Sequence, residues 1–124
     1  MAGEENIESA KRGYAAFSSG DAEGAMAEIS DEIEWITPGN SAVSGIRRGK
    51  EQVGELWGML AEKGFSTSPQ YWLSDDERVV VLTHITAQGE EADTVDVLTY
   101  RDGKLVKFQT ATDTAMLERL YGTK

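Results

Sequence analysis

The order of hydrophobic patterns along the chain constrains its fold more than any other feature. Two helical patterns come first, a short strand and a long helix fall between Glu34 and Leu60, and four strand patterns and a last helix follow. Helices that precede a run of antiparallel strands are typical of the α+β class. The sequence therefore predicts a small cone, in which a curved antiparallel sheet wraps around the N-terminal helices with a pocket between them.

Apolar residues at helical spacing predict three helices in the first part of the chain. A short strand over 33–37 separates the second helix from the third, and Pro38-Gly39 ends that strand. A loop is expected from there to Gly49, and Asp113 is placed to cap a last helix that runs through Tyr121. The three apolar stripes consist of Ile7, Ala10, Tyr14 and Phe17, of Ala22, Ala25, Met26 and Ile29, and of Val53, Leu56, Trp57, Leu60 and Ala61.

From Phe65 the apolar period changes to two, and the pairing of the resulting strands decides which side chains share a face. The hairpin signal Asp102-Gly103 and the turn before it set Asp96 opposite Gln109 and Ile85. Both faces are largely apolar and the helices can cover only one, so we expect a homodimer through the outer sheet face. The strands are expected over 65–73, 78–88, 93–101 and 104–112, with Val81, Thr83, Ile85, Asp96, Leu98, Tyr100 and Gln109 inside and Val80, Leu82, His84, Val97, Val106 and Phe108 outside.

Composition and charge narrow the class of protein. The 124 residues suit one domain, 1–124, and the absence of cysteine excludes a disulfide framework. A net charge of −10 repels phosphate backbones, so no nucleic-acid partner is expected. The N-terminus is polar and acidic and the longest apolar run is 79–82, which predicts a cytoplasmic protein without a membrane partner. One histidine and scattered carboxylates lack metal-ligand spacing, and no cofactor is expected.

Four segments of the chain resemble a known family. GYAAFSSGD, EWITPG, SGIRRGKEQVGELW and DTAMLERLYG are similar to the SnoaL-like branch of the nuclear-transport-factor-two superfamily. That superfamily also contains ketosteroid isomerases, scytalone dehydratase and limonene epoxide hydrolase. The resemblance covers nearly the whole chain and implies a cystatin-like α+β barrel around a small-molecule cavity, but one such fold hosts many activities.

Transfer of the isomerase site to this sequence keeps only part of it. The resemblance implies that the strand aspartate is Asp96, that the tyrosine position falls on Gly13, and that the position of the base falls on Thr37. A shift of helix one by one residue would restore Tyr14 but not the base. Because a threonine hydroxyl is not basic near neutral pH, the known isomerase mechanism is not expected here.

The other enzymes of the resemblance also match in part. Cyclases of the SnoaL type use an aspartate and a histidine; here Asp113 resembles the aspartate that opens the last helix, where capping explains it, and the single histidine, His84, is expected on the outer face as interface packing. Epoxide hydrolases of this fold use an aspartate–arginine–aspartate set. Asp96 suits one aspartate, but position 94 is Thr94, so an arginine would have to come from elsewhere in the fold.

Asp96 is the candidate for catalysis. Valines flank it and apolar residues share its face, so its carboxyl is expected to have a raised pKa, which suits a base or a neutral donor. The structural alternative is a carboxylate at the pocket mouth, or one tied to Gln109. Trp35 and Trp57 are expected to form walls of the pocket, although Trp57 also suits a helix core. The hydroxyls of Tyr14 and Tyr100 can donate a hydrogen bond to a ligand oxygen. The ligand-binding candidates are Tyr14, Trp35, Thr37, Trp57, Tyr100 and Gln109.

The sequence leaves two classes of function open. The first is a SnoaL-like small-molecule pocket protein that acts as a cofactor-free isomerase, cyclase or dehydratase by proton transfer on an apolar oxygenated ligand. The second is a non-catalytic ligand-binding or assembly protein in which Asp96 is structural; an epoxide hydrolase is a third, weaker alternative. The observation that separates them is whether Asp96 faces an enclosed cavity that holds a second titratable group.

Overall fold

The computed structural model describes residues 2–124, which form helices packed on a six-stranded sheet and confirm the α+β class. The helices are α1 (Ala2–Ser18), α2 (Ala22–Met26), α3 (Gly49–Glu62) and α4 (Thr114–Tyr121). The strands are β1 (Ile29–Thr37), β2 (Gly45–Arg48), β3 (Ser66–Ser74), β4 (Arg78–Ala87), β5 (Glu90–Arg101) and β6 (Lys104–Ala111).

The sheet is curved and unclosed, with strand order β2-β1-β6-β5-β4-β3. All neighbouring strands are antiparallel except β1 and β6, which run parallel and bring the first long strand beside the last. Helices α1 and α3 pack on the inner face, where the most deeply buried apolar side chains lie. These are Ile33, Val43, Val53, Leu56, Val79, Val81 and Met116.

The segment expected to be a loop after Pro38 contains strand β2. Its four residues pair with the end of β1, and Gly45 and Gly49 at its two ends have positive φ angles that other residues adopt at a cost. A strand of four residues is too short to show a period of two, so the pattern did not reveal it. Ile29 also differs from the prediction, since α2 ends at Met26 and Ile29 begins β1.

Two tight hairpins set the register of β4, β5 and β6. The turns at Gln88-Gly89 and Asp102-Gly103 have positive φ at both residues, as two-residue hairpins with right-handed twist require. The first turn pairs Asp96 with Val81 and not with Ile85 as expected. Because the difference is an even number of residues, Asp96 stays on the inner face, as predicted.

A β-bulge in β6 makes the predicted partner of Asp96 wrong. Val106 is an extra residue between two regular pairs, so beyond it every β6 residue is displaced by one. Asp96 therefore pairs with Thr110, and Gln109 pairs with Val97 on the outer face. A displacement of one residue exchanges the two faces of a strand, which is why Gln109 leaves the cavity.

The same bulge moves Phe108 from the outer face, where the sequence placed it, to the inner face. Phe108 pairs with Leu98, and both are buried in the core. The spacing of apolar residues in β6 does not reveal the extra residue, because Leu105, Val106 and Phe108 are all apolar and suit either face of the sheet. The bulge thus exchanges an amide for an aromatic ring in the wall of the pocket.

Candidate functional site

A cavity lies between the helices and the inner face of the sheet. Its volume is about 120 Å³, and its lining is mostly apolar. Aromatic rings form one wall: Trp35 stacks on Phe108 with ring centroids 3.8 Å apart and meets Trp57 edge-on at 5.6 Å. Phe17 of α1 meets Trp57 edge-on at 5.7 Å. Such a wall suits a flat, apolar ligand.

Asp96 faces this cavity, on the inner face of β5, and is only 4 % exposed. The hydroxyl of Tyr14, on α1, donates a hydrogen bond to Asp96 Oδ2 at 2.5 Å. Tyr14 itself is held by an edge-on contact with Trp72 at 5.6 Å. The structure therefore brings together the strand aspartate and the helix-one tyrosine, with Tyr14 rather than Gly13 in contact with the carboxyl.

Burial shifts the pKa of both members of this pair. Desolvation raises the pKa of Asp96 above its ordinary value, and hydrogen bonds from Thr110 and Tyr14 reverse only part of that shift. Desolvation also raises the pKa of Tyr14 well above its ordinary value, and the nearby charge of Asp96 adds to the effect. The tyrosine therefore stays protonated, and Asp96 is the member of the pair that changes its protonation state.

All but one of the remaining ligand-binding candidates lie in the cavity wall. Trp35, Thr37, Trp57 and Tyr100 line the cavity, and burial raises the pKa of Tyr100 to about 12. Gln109 does not line it, because the bulge at Val106 turns this residue to the outer face of the sheet.

Two residues considered from the family resemblance also lie outside the cavity lining. Asp113 caps α4 by accepting a hydrogen bond from the backbone amide of Met116 at 2.9 Å. His84 is on the outer face, with Nδ1 at 2.8 Å from Asp93 and Nε2 at 3.1 Å from Glu91. The placement expected for both residues is the one found, and neither residue lines the cavity.

A second carboxylate that the sequence analysis missed lines the same cavity. Glu28 accepts hydrogen bonds from Ser9 at 2.8 Å and from Arg12 at 2.9 Å. Burial acts to raise the pKa of Glu28, but these hydrogen bonds and the neighbouring cations outweigh it and leave the pKa below its ordinary value. Glu28 lies in the turn after α2, where no periodicity assigns a direction to its side chain.

Two buried polar atoms in the cavity wall have no hydrogen-bond partner among residues 2–124. They are the indole Nε1–H of Trp57 and the hydroxyl of Thr67. A buried polar group without a partner is costly, so each offers a hydrogen bond to a bound molecule. The indole can only donate, which suits a ligand oxygen.

The part of the chain that the structure describes has no group of three or more histidine or acidic side chains arranged to hold a metal ion. Nor does any helix within residues 2–124 have the length and apolar character needed to cross a membrane. The cytoplasmic location stays a prediction.

Fold and site together define a helix-and-sheet cone with an apolar pocket that is compatible with a small-molecule ligand. The chain belongs to the SnoaL-like domain family, whose profile matches residues 10–108. This confirms the resemblance, and related solved structures are described as nuclear-transport-factor-two-like and cystatin-like in fold. A search of curated proteins found no match.

Several solved structures are similar to this chain over nearly its whole length. Bal32a from a soil-derived mobile gene cassette is 27 % identical, with a TM-score of 0.88 and coverage of 98 % of this chain and 99 % of that one. TerC, co-crystallised with polyporic acid, is 26 % identical, with a TM-score of 0.84 and coverage of 94 % and 97 %. A protein of this fold class from Burkholderia pseudomallei is 25 % identical, with a TM-score of 0.83 and coverage of 94 % and 97 %.

Proposed function

We propose that the chain binds an aromatic, oxygen-bearing small molecule in the cavity and that Asp96 moves a proton on that molecule without a cofactor. The observation that carries this proposal is the hydrogen bond between Tyr14 and Asp96 inside an apolar pocket between the helices and the sheet. A buried carboxylate with a raised pKa is a stronger base than an exposed one, and its protonation state changes nearer to neutral pH. Glu28 and Tyr100 supply further titratable groups, which favours chemistry over a structural role for the aspartate.

The proposed step is the abstraction of a proton from a carbon next to a ligand carbonyl. The ionised carboxylate of Asp96 takes the proton, the C–H bond breaks, and its electron pair moves to the carbonyl oxygen as an enolate. Once Asp96 is protonated it is a weaker acceptor, so the Tyr14 hydroxyl is released to donate to the new oxyanion. Return of a proton to the same carbon completes an exchange, and its return to another carbon completes an isomerisation. A cyclase or dehydratase reaction in this pocket would begin with the same proton abstraction.

The walls of the cavity indicate the kind of ligand. The stack of Trp35 on Phe108 and the unpartnered indole donor of Trp57 suit an aromatic molecule with an oxygen at its edge. The similar protein TerC was crystallised with polyporic acid, which makes that compound a first probe for this chain. No arginine lines the cavity formed by residues 2–124, so nothing supports the epoxide hydrolase alternative.

Binding and proton transfer can be tested separately. Polyporic acid is titrated into the protein while tryptophan fluorescence is followed, and p-hydroxyacetophenone is incubated with it in heavy water while proton NMR follows deuterium entry into the methyl group. We expect Asp96→Asn to slow exchange at least about a hundredfold, as removal of a positioned base does. Tyr14→Phe should slow exchange less. Asp93→Asn, on the outer side of the same strand, is the matched control and should not change it.

The two readouts have different consequences. Binding without Asp96-dependent exchange would support the non-catalytic ligand-binding alternative. Failure of both probes to bind or react would contradict the proposal of an aromatic ligand.

We also propose that a second copy of the chain covers the outer face of the sheet. The apolar stripe, defined as the cross-strand row Ile46, Ile36, Gln109, Val97, Val80 and Leu73 with the adjacent row Val95, Leu82 and Tyr71, crosses the sheet in register. It contains the most exposed large apolar side chains within residues 2–124, with Tyr71 64 % and Leu73 63 % exposed. Charged pairs flank the stripe on both sides, as in interfaces with an apolar centre and a polar rim.

A further inference from the structure

The cavity has a second polar end, which lies further along β5 from the pair formed by Asp96 and Tyr14. The backbone amide of Leu105 donates to the carbonyl of Glu28 at 3.0 Å, and Leu105 pairs with Tyr100 across the sheet. Glu28 is therefore fixed beside Tyr100. Ser9 and Arg12 hold its side chain from α1, and Ser9, Glu28 and Tyr100 all line the cavity.

The length of β5 gives the distance between the two ends. Asp96 and Tyr100 are four residues apart on one strand, which is about 13 Å at the rise of an extended chain. Leu98 lies between them on the same face, and Phe108 faces it across the sheet, so the middle of the cavity is apolar. The cavity is thus a slot with a polar group at each end and an apolar waist.

The two ends differ in exposure and charge. Asp96 is 4 % exposed, whereas the side chain of Glu28 is 20 % exposed, so the Glu28 end is nearer to solvent. Both hydrogen bonds from Ser9 and Arg12 go to Oε1 of Glu28, which leaves the lone pairs of Oε2 for a further donor. Although burial acts to raise the pKa of Glu28, the hydrogen bonds from Arg12 and Ser9 and the nearby cations lower it, so its carboxylate is ionised at neutral pH.

We propose that Glu28 is a specificity-determining ligand contact, which accepts a hydrogen bond from a hydroxyl or amino group at the far end of an elongated aromatic ligand whose other oxygen lies at Asp96. The inference rests on the proposed function and adds the ligand's shape and its second polar group. An ionised acceptor favours a hydrogen-bond donor and repels a negatively charged group placed next to it, so the expected ligands are diols, aminophenols and similar molecules with a donor at this end.

The test uses two probes that differ by one hydroxyl group. p,p′-Biphenol has a hydroxyl at each end, and p-phenylphenol has one, and both are titrated into the full chain by calorimetry or tryptophan fluorescence. The wild type is expected to bind p,p′-biphenol about tenfold more tightly, the effect of one hydrogen bond to a charged group. Glu28→Met should abolish this preference, and Glu28→Gln should reduce it while keeping the shape of the side chain.

The matched control is Glu34→Gln. Glu34 is also paired with an arginine, Arg48 at 3.5 Å, but it lies on β1 outside the cavity lining, so the preference should stay tenfold. An unchanged preference in both Glu28 variants, with deuterium exchange still slowed in Asp96→Asn, would overturn the role of Glu28 and leave the proposed function standing. If neither phenol binds the wild type, this inference fails, and the polyporic acid titration and the deuterium exchange decide the proposed function separately. Circular dichroism melts identify any variant that does not fold, and Glu28→Gln then decides alone.

Discussion

The hydroxyl of Tyr14 donates to the carboxylate of Asp96 at 2.5 Å and joins α1 to β5 across 82 residues of sequence. One hydrogen bond thus connects the packing of the first helix to the protonation of the pocket acid. Any change in where α1 sits on the sheet alters the pKa of Asp96, since Tyr14 stabilises the ionised carboxylate and α1 helps to exclude water from it.

Asp96 is expected to make the folded state less stable as pH rises above the acid range. The unfolded carboxyl ionises near its ordinary pKa of 3.8, while the buried one ionises at a higher pH. The stability that comes from the protonated carboxyl is therefore fully present below about pH 3.8 and is lost as pH rises through the folded pKa. Asp96→Asn should remove this dependence and raise the free energy of unfolding near neutral pH by about 1–3 kcal/mol. Urea unfolding over a pH series measures it, and parallel curves for both proteins would contradict the raised pKa.

Phe108 is expected to matter to folding far more than its neighbour Gln109. Phe108→Ala removes the ring that stacks on Trp35 and should cost about 3 kcal/mol, as truncation of a buried aromatic does. Gln109→Ala, on the outer face, should change the free energy of unfolding by about 0.5 kcal/mol or less. Denaturant unfolding of both variants tests the bulge, because the register predicted without it would place Gln109 in the cavity and Phe108 on the surface.

The apolar stripe is expected to form the interface of a homodimer. Val97→Asp and Leu82→Lys put a charge at its centre and should convert the dimer to a monomer, since an unpaired charge at the core of an interface costs several kcal/mol. Thr86→Asp lies on the same face outside the stripe and serves as the control. Light scattering coupled to size exclusion measures the mass. A wild type that stays monomeric at high concentration would refute the proposed dimer.

Arg47 and Arg48 are adjacent in sequence and should respond very differently to substitution. The guanidinium of Arg47 donates to the backbone carbonyls of Val43 at 2.5 Å, Ser44 at 3.1 Å and Ala42 at 3.3 Å, and so holds the loop before β2. Lysine lacks the planar fork that serves three acceptors, so Arg47→Lys should cost about 1–3 kcal/mol. Arg48→Lys, at an exposed pair with a glutamate, should cost less than about 1 kcal/mol. Equal losses in thermal unfolding would contradict the role of Arg47.

The sequence predicted what local patterns can encode. The order of the four helices and of every strand except β2, the inward direction of Asp96 and the outward direction of His84 follow from apolar periodicity and hairpin turns, and the structure agrees with them. The contact of Glu28 with Ser9 depends on how the turn after α2 packs on α1, and the bulge at Val106 depends on packing across β6. Tertiary packing decides both, and no spacing in a single chain records it.

His84 is expected to titrate above its ordinary pKa and to stabilise the fold more in acid than in base. The hydrogen bond to Asp93 raises its pKa, and the charges of Asp93 and Glu91 add to this effect while desolvation opposes it. The stabilisation is therefore fully present below the unfolded pKa of about 6.5 and is lost as pH rises through the higher folded pKa. Proton NMR of the imidazole measures the titration directly. Asp93→Asn should bring the midpoint back toward its ordinary value, because it removes the acceptor closest to Nδ1. His84→Gln should remove the corresponding slope from the pH dependence of unfolding. An unshifted midpoint in the wild type would mean that the two acids do not hold the ring in solution.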